Sequence, residues 1–128
     1  MPIQTLDHVN ILTADVAGMT AWYEKILGLK KGPRPNFRVA GAWLYAGDNP
    51  YVHLVEITSP RKPSEVQIEH FAFGATGMAE FIDTLKEHGV HHTIDPVPDY
   101  PLVQVNFRDP EGNHIHVDFV STETAGSS

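Results

Sequence analysis

TLDHVNILTADVAGMTAWYEKILG, residues 5–28, runs from an alternating apolar segment into a helical one, and QIEHFAFGATGMAEFIDTLKEHG, residues 67–89, does so again. In the first copy Leu6, His8 and Asn10 alternate with Asp7, Val9 and Ile11, the two-residue period of a strand from about Thr5 to Leu12. Val16, Met19, Tyr23, Ile26 and Leu27 then recur at helical spacing between about Asp15 and Leu27, with Thr13 or Asp15 to cap the start and Gly28 to stop it. In the second copy Gln67–Phe73 alternates, and Met78, Phe81, Ile82 and Leu85 share one face of a helix over Met78–His88. Thr76 is its expected cap and Gly89 its stop.

Outward from these two segments the chain repeats itself. Short strands fit Leu29–Lys31, Gly41–Ala46 and Tyr51–Ile57, the last two joined by a turn at Gly47-Asp48-Asn49-Pro50. After the second helix, strands fit His91–Ile94, Leu102–Arg108 and His114–Val120, with Asp109-Pro110-Glu111-Gly112-Asn113 as the turn before the final one. Each half therefore reads β-α-β-β-β, an α+β pattern. The first module covers about residues 3–58, TSPRKPS (residues 58–64) lies in a linker of about 58–66, the second module covers about 67–120, and a small polar tail occupies 121–128.

Four histidines follow the repeat. His8 and His70 are 62 residues apart (70 − 8), and His53 and His116 are 63 apart (116 − 53). Strand alternation puts His8 opposite Val9 and Ile11, His70 opposite Phe71 and Phe73, and His116 opposite Ile115, Val117 and Phe119. His53 shares its face with Tyr51 and Val55. If helices cover the apolar faces, the imidazoles are left on the concave side, where they can converge on one metal ion; neutral imidazole is a common ligand for zinc, iron, nickel and copper.

Composition narrows the classes. The 128 residues suit one domain or two small halves, and 41% hydrophobic with 20% charged residues is ordinary for a globular protein. A net charge of −7 argues against nucleic acid and anionic membranes as partners. With no cysteine, disulfides, thiolate metal sites and cysteine nucleophiles are excluded. The opening MPIQTLDHV has no signal-peptide pattern and no apolar run reaches the ~18 residues of a membrane span, so a cytoplasmic protein is expected.

The stretches LDHVNILTADVAGMTAWYEKILGLK, VHL, IEHFAFGA and FRDPEGNHIHVDF, in this order, resemble the vicinal-oxygen-chelate superfamily of glyoxalase I, extradiol dioxygenases, fosfomycin-resistance transferases and bleomycin-binding proteins. The resemblance implies a single glyoxalase-like domain whose two βαβββ modules form an open, curled mixed β-sheet around a central site. It implies a divalent ion (Zn, Fe, Ni or Mn) held at the positions of His8, His70 and His116, with His53 added as in glyoxalase-type members. It also implies a small-molecule substrate and a homodimer, with modules pairing within a chain or between chains. One departure stands out: the family usually carries Glu at the position of His116, and hemithioacetal isomerases carry it at that of His53 as well. Without those carboxylates, glyoxalase I activity in its usual form is not expected.

Two functions remain open on the sequence. One is a metal-dependent lyase, isomerase or dioxygenase whose substrate chelates the ion through adjacent oxygens, with an unligated His53 as general base. The alternative is a metal-free protein that binds a drug or metabolite, as bleomycin-resistance proteins do. Trp43 and Tyr45 share a strand face and are candidate substrate contacts, as is Arg38 in the proline-bearing loop GPRPNFR, which also carries Arg34. Asp118, on the face of His116 and His114, is a candidate orienter of a ligand imidazole or a solvated edge residue. Glu56 and Glu69 are expected to point away from the site, and His91 and His92 to lie on the surface.

Overall fold

The computed structural model describes residues 5–58 and 69–122, and the linker and most of the tail lie outside them. It divides into two compact units, Met1–Lys62 and Pro63–Ser128. Unit 1 runs β1 (Val9–Thr13), α1 (Val16–Leu27), β2 (Lys30–Gly32), β3 (Gly41–Ala46) and β4 (Asn49–Glu56). Unit 2 runs β5 (His70–Gly74), α2 (Met78–Glu87), β6 (His92–Pro96), β7 (Leu102–Arg108) and β8 (His114–Val120). The expected βαβββ order is thus present twice, each copy forming an open four-stranded mixed sheet, β1-β4-β3-β2 and β5-β8-β7-β6.

In unit 1, β1 lies parallel to β4, and β3 runs antiparallel beside it, so that Ile11 pairs with Leu54 and Leu54 with Ala42. Ile11, Ala42, Leu44, Val52 and Leu54 form a buried apolar face, and α1, which lies against β3 and β4, buries Met19, Tyr23 and Ile26. Asp15 caps α1 by accepting from the Gly18 amide at 2.9 Å, while Thr13 Oγ1 accepts from the Asp15 amide at 3.0 Å. Gly28 ends the helix at φ 69°, a left-handed conformation that a side chain would resist.

Unit 2 repeats the plan. Phe71 pairs with Ile115 and Phe73 with Val117, while Val105 and Phe107 pair with Val117 and Ile115 from the other side. Phe81 of α2 meets Phe107 and Phe119 at ring distances of 5.6 and 5.8 Å, and Met78 and Leu85 are buried beside them. The cap expected at Thr76 is not the one used. Gly77 occupies the N-cap position in a left-handed conformation, φ 81°, which moves Thr76 one residue outside the cap. The helix starts on backbone geometry, with Glu80 in its first turn to face the macrodipole.

Both units leave the same kind of face uncovered by their helix. In unit 1 it carries Asn10, His53 and Trp43, which lie side by side across β1, β4 and β3. In unit 2 the equivalent row is Ala72, His116 and Asn106 across β5, β8 and β7. The late histidine of each unit therefore sits opposite the residue two beyond the early one, Asn10 after His8 and Ala72 after His70. That shared register is the structural form of the repeated histidine spacing.

Leu54→Ala and Leu85→Ala should each cost about 2–5 kcal/mol in denaturant unfolding, because both side chains, one on β4 and one on α2, are fully buried. Asn10→Ala, exposed on the opposite face, should stay within about 0.5 kcal/mol. Similar losses at all three positions would contradict this division of faces.

Candidate functional site

Three of the expected ligands share one local arrangement. His8 Nδ1 donates to Asp7 Oδ2 at 2.6 Å. His116 Nδ1 donates to Asp118 Oδ1 at 2.6 Å. His70 Nδ1 donates to Glu69 Oε2. An ionised carboxylate only accepts, so each Nδ1 must carry hydrogen, and in the neutral ring Nε2 then holds the lone pair. A carboxylate behind a histidine, facing a metal in front, is the usual way a protein fixes ligand tautomer and orientation. In the neutral rings of His8, His70 and His116, Nε2 is thus the nitrogen that carries the lone pair.

Of the two places expected for Asp118, the structure shows the one bonded to His116 and not the solvated edge. Glu69 departs from expectation. Instead of pointing away, it bonds His70 and also lies 3.0 Å, through Oε1, from His114 Nδ1. These contacts with His70 and then His114 hold its carboxyl below the usual carboxylate range. Strand alternation failed here because β5 begins at His70, and Glu69 lies before the pleat imposes its period. Asp7 was overlooked for the same reason: β1 begins at Val9, so Asp7 and His8 belong to the approach to the strand. An acid directly before the histidine, DH and EH, was the available signal.

His53 sits in a different environment. Its ring stacks on His8 at 3.8 Å and 9°, and on Trp43 at 4.1 Å and 12°, which leaves it buried between them. Nε2 of His53 is buried with no hydrogen-bond partner among the described residues. Burial, and then the neighbouring His8, lower its pKa; the Pro50 carbonyl opposes them less strongly. A lone pair points within its ring plane. Two parallel rings 3.8 Å apart cannot both aim at one ion ~2.0–2.1 Å from each nitrogen. His70 and His116, by contrast, are tilted by 46° with centroids 4.7 Å apart.

The candidate substrate contacts lie on and beside the same face of unit 1. Trp43 lies half-buried on His53, with Phe37 at 6.4 Å from it. Tyr45 is half-buried and donates its hydroxyl to the Pro33 carbonyl at 2.6 Å, which ties down the start of the 33–40 loop. Arg34 braces that loop from inside, donating to the Val39 carbonyl at 2.9 Å with its guanidinium 5.0 Å from the Phe37 ring. Gly41 closes it, since a Cβ there would stand 2.2 Å from the Leu54 carbonyl oxygen. Arg38 is exposed on the loop.

The final strand is delivered by the turn at 109–113. Asp109 is buried, and its Oδ1 accepts from the amides of Glu111 and Asn113 at 2.9 Å each, while Oδ2 accepts from Asn113 Nδ2 at 2.8 Å. This pins the chain immediately before His114 and His116. Among the described residues, one group of three possible metal donors also stands close together, Glu69, His70 and His114, with donor atoms within 4.8 Å of one another. No helix among the described residues is long and apolar enough to cross a membrane.

A family model for the Glyoxalase/Bleomycin resistance protein/Dioxygenase superfamily matches residues 5–117. The chain is 28% identical over 123 residues to Glyoxylase I 4 of Arabidopsis thaliana, spanning 90% of this chain and 70% of that protein. Its fold is similar to that of a glyoxalase family protein from Bacillus anthracis, with a TM-score of 0.75 at 23% identity over 92% of this chain and 96% of that one. It is also similar to the fosfomycin resistance protein FosX of Listeria monocytogenes, with a TM-score of 0.70 at 16% identity over 94% and 97% of the two chains.

Burial makes the folded protein bind the His53 proton more weakly than the unfolded chain does. The stability this contributes is fully present above the ordinary histidine pKa of about 6.5 and is lost as pH falls below it. His53→Phe keeps a stacked ring and removes the titration. The thermal midpoint of the wild type should therefore fall more steeply than that of the variant between about pH 7 and pH 5. Parallel profiles would show that His53 is not held neutral by its surroundings.

Proposed function

The chain belongs to the Glyoxalase/Bleomycin resistance protein/Dioxygenase superfamily, and from that premise we propose a metal-dependent enzyme acting on a small substrate that chelates one divalent ion through adjacent oxygens. The observation that carries this reading is the carboxylate at Nδ1 of each of His8, His70 and His116. A histidine that merely satisfies its own polarity on a sheet surface has no need of a fixed acceptor behind and a free lone pair in front. The same pairing at all three family positions favours ligation.

In this reading His8, His70 and His116 hold the ion (Zn, Fe, Ni or Mn) through Nε2, while Asp7, Glu69 and Asp118 raise the basicity of the rings and fix their tautomers. Neutral imidazoles alone would leave a bound ion its full charge of two, and the chemistry it would supply is Lewis-acid polarisation of a substrate oxygen. His53 is assigned as the general base and not as a fourth ligand, because its ring is locked parallel to His8. Its lowered pKa keeps it neutral near pH 7, the state a group needs to accept a proton and return it at the end of the cycle. Trp43 on one side keeps water off that ring. Tyr45 and Arg38 complete the proposed substrate contacts, and a homodimer is the proposed assembly. The proton handling at His53 suits a lyase or isomerase; oxygen insertion requires a redox-active ion such as Fe.

As purified or after metal addition, the protein should hold about one divalent ion per chain. His8→Ala, His70→Ala and His116→Ala should each weaken it clearly, and Asp118→Asn should do so by about 10–100-fold while leaving every proposed ligand in place. His116→Glu should keep the ion, since carboxylate oxygen is also a ligand. Elemental analysis and competition titration measure this. No binding tighter than millimolar, or full occupancy in all the alanine variants, would overturn the assignment.

Turnover of the methylglyoxal–glutathione hemithioacetal should be poor, because neither position 53 nor position 116 supplies a glutamate base. Activity at kcat/KM of about 10⁴ M⁻¹s⁻¹ or more would show that histidine replaces the carboxylate here.

A further inference from the structure

His114 is one of the histidines the proposed ion does not use, and its surroundings are over-supplied with acceptors. Its Nε2 stands 2.8 Å from Asn106 Oδ1. The Asn106 amide cannot be reversed, because its Nδ2 donates to Asp95 Oδ2 at 2.9 Å, and that carboxylate oxygen also takes the Thr93 hydroxyl at 2.7 Å. Nε2 of His114 must therefore be the donor, which in the neutral ring leaves a lone pair on Nδ1. That lone pair faces Glu69 Oε1 at 3.0 Å, an atom that only accepts. Two lone pairs at this distance require a positive species between them. A proton satisfies His114 and Glu69 alone, whereas His70 offers a third donor within 4.8 Å of both.

We propose that unit 2 carries a second, solvent-facing seat for a divalent transition-metal ion, made of Glu69, His70 and His114. The seat itself stands on these contacts; its competition with the ion of the proposed enzyme rests on the reading above. A tetrahedral ion with bonds of ~2.0–2.2 Å holds its ligand atoms ~3.4 Å apart, so the donors need to close by roughly 1 Å. Glu69 and His70 are exposed and His114 is half-buried, so small side-chain rotations suffice. The donor set, one carboxylate oxygen and two imidazole nitrogens, suits zinc, cobalt or nickel better than calcium or magnesium.

The two seats exclude one another through His70. A neutral imidazole has a single in-plane lone pair. An ion taken by His70 Nδ1 in the second seat moves the ring proton to Nε2 and withdraws that nitrogen from the first seat. It also removes Glu69 from its place behind His70. Excess divalent metal therefore draws a ligand away from the proposed catalytic ion, which makes the second seat inhibitory.

The test uses Co²⁺ titration followed by d–d absorption, with the full chain carrying His8→Ala and His116→Ala to disable the first seat. This variant should still bind one Co²⁺. Adding Glu69→Gln, an isosteric change at an exposed position, or His114→Ala should weaken that ion at least about tenfold, since losing a ligand costs no less than the ~10–100-fold of losing its outer partner. Absence of Co²⁺ binding in the double variant, with circular dichroism showing it folded, would overturn the second seat. So would residual binding indifferent to both Glu69→Gln and His114→Ala. Failure of the enzyme reading looks different: His116→Ala in the otherwise native chain would leave its tightest ion untouched.

Discussion

A carboxylate pressed against Nδ1 decides what the other nitrogen of an imidazole can do. At His8, His70 and His116 that carboxylate is Asp7, Glu69 or Asp118, supplied within two residues of the histidine it serves. The arrangement requires little of the fold beyond local backbone geometry, so each unit can fix the tautomers of its histidines by itself. What the fold must add is a face on which the prepared rings stay free of the core. The parallel pairs β1–β4 and β5–β8 provide it, because one helix covers the apolar side of each sheet and the histidines line the other side.

The two units use the same register for different ends. In unit 1 the neighbour of His53 across β3 is Trp43, and the result is a stack of three rings that buries the middle one and disfavours charge on it. In unit 2 the neighbour of His116 across β7 is Asn106, and the result is a polar chain running through His114 to Glu69. A neutral buried ring suits a proton acceptor; a hydrogen-bonded, tilted pair suits metal ligation. The repeat thus supplies two histidines per unit, and the residue beside each late histidine sets its chemistry.

Much of this was legible in the chain. Two-residue alternation in HFAF and HIHVDF placed His70 and His116 opposite the apolar faces, and the helical spacing of Met19, Tyr23 and Ile26 placed α1 over the apolar face of unit 1. Asp118 could be read as an orienter because it lies inside a strand, where i and i+2 share a face. Asp7 and Glu69 could not be read that way, since both precede their strands and alternation has no hold there. The sandwich of His53 between His8 and Trp43 depends on pairing between β1, β4 and β3, which no local pattern encodes. Thr76 failed as a cap because Gly77 could adopt a left-handed conformation that placed the helix start one residue later.

The central claim is that carboxylates hold His8, His70 and His116 with hydrogen on Nδ1 and the lone pair on Nε2. Long-range ¹H–¹⁵N correlation of the imidazole nitrogens in the metal-free protein, near neutral pH, reads the tautomer of each ring directly. Free neutral histidine prefers hydrogen on Nε2, so the predicted result cannot arise by default: all three rings should show a protonated Nδ1 and a pyridine-type Nε2. Rings with hydrogen on Nε2 would leave no lone pair facing the proposed ion and would contradict the account.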